Sequence, residues 1–240
     1  MRDVIDTHTH TLASGHAYST IRENARMAAE KGLELLAITE HGPYMLGSCH
    51  EYYFLNLKVL DRNAYDVPVI FGVELNVLDS KGHVDLPDAT LKHMDIAIAS
   101  IHVPCYKPGS KEENTEALIN VMKNPYVNII GHADDIRYPL DYEALVQCAK
   151  EHGVLLELNN SSLSPFSYRD RAKELDTEML KYCVKYQAPI VMGSDAHVDT
   201  DVGNHKWATE LLKEIDFPEE LVINTDSERL KPYINYWKNR

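Results

Sequence analysis

The chain has 240 residues, 44% hydrophobic and 25% charged, a balance that supplies a sizeable core and excludes a disordered polypeptide. A formal net charge of −13, with no basic tract, argues against a surface built to neutralise a nucleic-acid backbone. Cys49, Cys105, Cys148 and Cys183 form no C-x-x-C pair, and no signal core or apolar run of the roughly 18 residues a membrane helix needs is present, so a reduced, soluble, cytoplasmic protein with no membrane partner is expected.

Short apolar runs alternate with longer amphipathic stretches. The strand-like runs are Asp3–Thr7, Glu34–Thr39, Val67–Val73, Asp95–Ile101, Val127–Gly131, Val154–Leu158 and Pro189–Gly193. Each is rich in Val, Ile and Leu and mostly unbroken, as strands covered on both faces of a parallel sheet are. Helices are predicted over Thr20–Lys31, Ser48–Arg62, Asn114–Lys123, Tyr142–His152, Arg169–Tyr186 and Lys206–Ile215. Asp141 and Asn204 are placed to cap helix starts, and Gly32 and Gly153 to follow helix ends. Within Asn76–Val84, the turn-like Asp79-Ser80-Lys81-Gly82 predicts a small hairpin after strand three. No linker or composition shift appears, so residues 1–240 are read as one domain. Seven β/α repeats of about 34 residues each approach the roughly 31 of an eight-fold barrel, and a doubly wound open sheet is the competing architecture.

The twelve histidines are placed unusually. Strand one ends in Asp6-Thr7-His8-Thr9-His10, and on an extended backbone His8 and His10 point the same way. Strand two ends at His41, strand three at Glu74, strand four at His102, strand five at His132, and strand seven at Asp195 and His197. From His8 the steps to His41 and Glu74 are 33 and 33, then 28 to His102, 30 to His132 and 63, two repeats, to Asp195. The polar residues therefore keep the phase of the β/α unit. In a parallel barrel those ends meet on one face. With His16 from the loop after strand one there are nine ligand candidates, and one bridging carboxylate would let them serve three ions. Nitrogen and carboxylate donors suit zinc, manganese or iron. His50, His83, His93, His152 and His205 lack this phase and read as solvated. Cys105 reads as an inert thiol. Asn159, Asn160 and Ser161, at the end of strand six, are candidates for substrate or ligand-supporting contacts, or for a turn.

His8-Thr9-His10-Thr11, Ile38-Thr39-Glu40-His41, Gly72-Val73-Glu74 and Ser194-Asp195-Ala196-His197 resemble the polymerase and histidinol phosphatase (PHP) family. Ser14-Gly15-His16-Ala17-Tyr18-Ser19-Thr20 and Leu158-Asn159-Asn160-Ser161-Ser162 resemble its small YcdX-like bacterial phosphatase subgroup. The resemblance covers about residues 3 to 225. It implies an α/β fold, a distorted seven-stranded (β/α) TIM-like barrel, with three divalent ions, usually zinc. Carried over, His8, His10, Glu74 and Asp195 would hold the first ion, His102 and His132 with bridging Glu74 the second, and His16, His41 and His197 the third. Glu40, where relatives commonly have Asp, and Ala133, where they commonly have Pro, depart from the family pattern without removing a ligand.

The expected activity is metal-dependent hydrolysis of a small phosphate monoester by a metal-activated hydroxide, with Glu74, Asp195 and His197 at the reacting centre. Histidinol-phosphatase-like, protein tyrosine phosphatase and nuclease activities use the same site as alternatives. Amidohydrolases also begin with His-x-His, but their two-metal members often carry lysine at the end of strand four, where this chain has His102. A non-catalytic metal-binding module is the remaining rival, and such a domain is expected to have lost ligands. The oligomeric state is left open.

Overall fold

The computed structural model describes residues 1–238. Seven strands, β1 (Ile5–Asp6), β2 (Leu35–His41), β3 (Val69–Asn76), β4 (Ile96–Ser100), β5 (Ile129–Ile130), β6 (Leu155–Asn159) and β7 (Ile190–Gly193), lie side by side in chain order. Every neighbouring pair is parallel. All strand residues are buried, which is why the runs read as unbroken rather than alternating. Between the strands run α1 (Ile21–Glu30), α2 (Glu51–Asn56), α3 (Asp88–Leu91), α4 (Lys111–Met122), α5 (Tyr142–His152) and α6 (Ala172–Tyr186), followed by α7 (Lys206–Glu214) and α8 (Asn235–Lys238).

Local chemistry sets the helix ends. Thr20 and Glu23 form a reciprocal capping box at the start of α1. Asp141 accepts from the Ala144 amide at 3.1 Å, and Gly153 ends α5 at φ +65°. The hairpin is present as a single antiparallel bridge, Val77 to Val84.

Two helix expectations are corrected and one is extended. The segment 48–62 breaks into α2 and a separate 3-10 turn, Leu57–Val59, short of its expected end. Arg171 adopts φ +62°, so α6 starts at Ala172 and Arg169 stays in the preceding loop. At α7 the cap is shared: Asn204 Oδ1 accepts from the Lys206 amide at 3.3 Å, as expected, and Asn160 Oδ1 accepts from the Trp207 and Ala208 amides at 2.8 and 3.2 Å.

Two apolar layers organise the molecule. The larger packs the helices onto the outside of the strands. The smaller fills the barrel's lower interior with Ile5, Leu35, Ile70, Ile96, Ile98, Ile129, Leu155 and Val191. Ile223, Leu230 and Ile234 close it from below. That plug, within 219–238, was assigned no element from the sequence.

An open sheet is excluded by how β7 meets β1. Near the upper rim the Asp195 amide donates to His8 O and the His10 amide to Ala196 O, both at 2.9 Å. Below, Asn224 takes the place of a missing eighth strand. Its Nδ2 donates to Ile5 O and Met192 O, both at 2.9 Å, and its Oδ1 accepts from the Met192 amide at 2.7 Å. The result is a (β/α)7 TIM-like barrel. Among the described residues no helix is long and apolar enough to cross a membrane, and all four cysteines are free.

His205 is not solvated as expected. It is 3% exposed, with Nδ1 2.8 Å from Asp3 Oδ2 and Nε2 3.6 Å from Asp6 Oδ1, tying the start of α7 to the start of β1. Burial disfavours its charge, but bonds to Asp3 and Asp6 outweigh this and raise its pKa to about 10. A folded-state pKa above the unfolded ~6.5 means that this stabilisation is full below ~6.5 and is lost as pH rises through about 10. Thermal denaturation from pH 7 to pH ~10.5 is therefore expected to show a steeper decline for the native chain than for His205→Asn. Parallel curves would show that the ring carries no charge.

Candidate metal centre

The upper rim collects polar side chains from almost every strand end. Glu74 stands inside β3 with His41, its register partner, at the end of β2. His8 and His10 follow β1, His102 follows β4, His132 follows β5, and Asp195 and His197 follow β7. His132 at φ +27° and Asp195 at φ +54° hold a backbone region that non-glycine residues rarely adopt. Such strain persists only where surrounding structure enforces it.

All nine residues singled out from the sequence come together, with Glu74 at the centre. Its Oε2 lies 2.6 Å from His41 Nδ1, 3.4 Å from His8 Nε2 and 3.6 Å from His10 Nε2. Its Oε1 lies 2.8 Å from His132 Nε2 and 3.1 Å from His102 Nε2. Asp195 Oδ1 is 3.3 Å from His10 Nε2, 3.7 Å from His8 Nε2 and 3.6 Å from His197 Nδ1. His16 Nε2 meets His41 Nε2 at 3.2 Å, and the His16 and His197 rings are 4.9 Å apart.

The donor set fits divalent cations. His8 Nε2, His10 Nε2, His41 Nδ1 and Glu74 Oε2 are buried and have no hydrogen bond of acceptable geometry. Leaving so many buried polar atoms without partners is costly unless a cation faces them. Among the described residues, three sets each have their donor atoms within 4.8 Å of one another: His8, His10 and Glu74; His41, Glu74 and His102; and His10, His41 and His197. Burial, followed by the neighbouring rings His41 and His197, lowers the pKa of His10 far below normal and that of His16 to a lesser degree. Burial also lowers His102, against the pull of Glu74. Neutral rings of this kind offer lone pairs to a metal. Glu74 and Asp195 resist the upward push of burial. His102, His8 and His41 around Glu74, and His8, His10 and His197 around Asp195, hold both carboxyls well below the usual range.

A supporting layer was missed from the sequence. Glu157 Oε1 lies 2.7 Å from His8 Nδ1, while its Oε2 accepts from the His132 amide at 2.9 Å and Asn159 Nδ2 at 3.0 Å. Gly193 makes room for it, since a Cβ there would fall 2.1 Å from Glu157 Oε1. The available signal was a lone acid in the apolar run Val154–Leu158. Asn76 Oδ1 faces His102 Nδ1 at 2.7 Å, and Asn76 Nδ2 donates to Asp85 at 2.6 Å. Glu40 accepts from Ser14 Oγ at 2.6 Å, and Ser14 Oγ lies 3.1 Å from His10 Nδ1. The Asp-to-Glu departure thus anchors the loop carrying His16. Of the strand-six residues, Asn159 also reaches Asp195 at 3.2 Å, whereas Asn160 is structural. Cys105 is half-buried, and burial raises its thiol pKa to about 11.

Arg169 is the main omission. It is 8% exposed, donates to Ser162 Oγ at 2.7 Å, and lies 3.9 Å from Asp134 and 4.0 Å from Asp195. Burial opposes its charge, but Asp134 and then Tyr168 and Asp195 sustain it. Together with His16, His41, His102, His132, Asp195 and His197 it lines a cavity of about 640 Å³.

Glu157→Gln is expected to weaken divalent-metal affinity by about 10–100-fold while preserving the fold, because the carboxylate that orients His8 becomes neutral. Metal titration of the purified variant measures this. Unchanged affinity would reduce Glu157 to packing.

A model of the PHP domain matches residues 6–215. A probable phosphatase of Clostridium novyi (strain NT) is 49% identical over 234 residues, covering 98% of this chain and 95% of that protein. A probable phosphatase of Caldanaerobacter subterraneus subsp. tengcongensis is 46% identical over 241 residues, covering 100% and 94%. The solved histidinol phosphate phosphatase of Lactococcus lactis superposes with a TM-score of 0.63 at 18% identity, covering 91% of this chain and 95% of that one, and so shares the fold. With most of its length matched and its strand-end residues gathered on one rim, the chain belongs to the PHP domain family.

Proposed function

We propose that the chain is a metal-dependent phosphatase that hydrolyses a small phosphate monoester at a three-ion centre, with zinc as the resident metal and manganese or iron as the alternatives. The observation that carries this reading is the division of Glu74, whose two oxygens face different sets of imidazoles. That is the arrangement of a bridging carboxylate. His8, His10, Glu74 and Asp195 would hold one ion, Glu74, His102 and His132 a second, and His16, His41 and His197 a third. His41 leans toward Glu74 through Nδ1, so its place in the third group rests on Nε2, which faces His16. The Lactococcus lactis enzyme, solved with zinc, L-histidinol and phosphate, supports both the metal and the ligand class.

Bound divalent ions supply Lewis acidity toward a phosphoryl oxygen and a nucleophile drawn from water near neutral pH. The chain's own residues do the rest. Arg169 presents a buried guanidinium to the same cavity, suited to phosphoryl oxygens that ions leave uncovered. Asp195, fixed by Asn159, and His197 belong to the cluster and also line the cavity, where they would contact the reacting group. Glu157, Asn76 and Ser14 hold the rings in place so that no reorganisation is needed during the reaction.

The test is elemental analysis of the purified protein followed by a panel of phosphorylated metabolites, with amide and lactone substrates beside them. Bound divalent metal and phosphate release that chelator abolishes are expected. Chelator-insensitive turnover, or cleavage confined to amides or lactones, would overturn the assignment.

A further inference from the structure

Beyond its metal-facing end, the cavity changes character. Its outer walls are Met45, Val103, Pro104, Phe166 and Tyr168, drawn from the loops after β2, β4 and β6. Phe166 is 95% exposed and Tyr168 70%, although each reaches the cavity. Polar groups share this lining, Ser161 among them, but part of their capacity is already engaged. Ser164 Oγ accepts from the Phe166 amide at 3.2 Å, and Ser167 Oγ from the Arg169 amide at 3.1 Å. Arg137 is bound by Asp135 through Nε at 2.9 Å and lies over the Tyr168 ring at 5.4 Å, with Arg169 at 5.2 Å. Two guanidiniums against one ring make Tyr168 a braced wall. Asp201 at the rim disfavours a second anionic group on the ligand.

Resting on the phosphatase reading, we infer that the substrate's organic part is a flat, apolar aryl or aralkyl group, seated against Phe166 and Tyr168, rather than a polyhydroxylated sugar. A sugar phosphate would place several hydroxyls against thioether, proline and phenyl surface, which offers them no hydrogen-bond partner. A ring gains stacking and apolar contact there, and leaves its phosphate at the Arg169 end. In the reaction one P–O bond forms to the oxygen of water, the ester P–O bond breaks, and the alcohol departs with a proton derived from that water.

The experiment compares 2-phenylethyl phosphate with glycerol 3-phosphate, both alkyl esters, so that intrinsic leaving-group reactivity does not decide the ranking. A kcat/KM ratio of about tenfold or more in favour of the aralkyl ester is expected. Phe166→Ala should collapse that ratio, and Phe166→Tyr, which keeps the ring, should retain it. Calorimetric binding of 2-phenylethylphosphonate against 2-hydroxyethylphosphonate reads the same preference without turnover. Turnover of both esters with no preference sinks this inference alone. Selective phosphonate binding without any turnover upholds it and sinks the phosphatase reading instead. Much faster hydrolysis of a phosphopeptide or a 5′-phosphorylated oligonucleotide would assign the apolar rim to a macromolecule and overturn the proposal.

Discussion

Glu74→Gln is expected to lower kcat/KM for phosphate-ester hydrolysis by about 10³-fold or more and to strip most of the bound metal. Glutamine matches glutamate in size, so the packing inside β3 is kept. What disappears is, among the described residues, the only carboxylate that faces His8, His10, His41, His102 and His132 together. Five imidazoles around a neutral amide can neither share a bridging anion nor balance several divalent charges. Metal content per chain, circular dichroism and turnover should be measured on the same preparation. A folded variant with full metal content and near-native turnover would refute the central role of Glu74.

Arg169→Gln should cost about 10²–10³-fold in kcat/KM, and Arg169→Lys should recover little of it. The guanidinium is buried at the cavity wall, with one side-chain hydrogen bond, to Ser162, and carboxylates no closer than 3.9 Å among the described residues. A planar fork in that position can grip two phosphoryl oxygens, which an ammonium cannot do. Inhibition by inorganic phosphate provides a second readout, and its inhibition constant should rise in both variants. Metal content should stay unchanged, which separates Arg169 from the ligands. An unaltered phosphate inhibition constant would leave it a structural cation.

The strands were legible because each is covered on both faces and therefore unbrokenly apolar. The clustering of the nine rim residues was legible because they keep the repeat length of the β/α unit. Residues whose roles depend on distant partners were hidden. His205 carries no periodic signal, and its partners Asp3 and Asp6 lie at the opposite end of the chain. Asn224 shows its function only when β1 and β7 are brought together. Arg169 looked like the first turn of a helix, and the left-handed Arg171 frees it to turn inward. Glu157 alone left a readable trace, an acid within an otherwise apolar strand.

The stitch made by Asn224 and the plug of Ile223, Leu230 and Ile234 also order events during synthesis. This segment leaves the ribosome after all seven strands, yet it joins the first of them to the last. Until it emerges, His8 and Asp195 belong to edges that nothing holds together from below. On the proposed metal-dependent reading, a nascent chain stalled before residue 222 is expected to have its imidazoles translated but its barrel unclosed from below, and to bind divalent metal more weakly than the full chain.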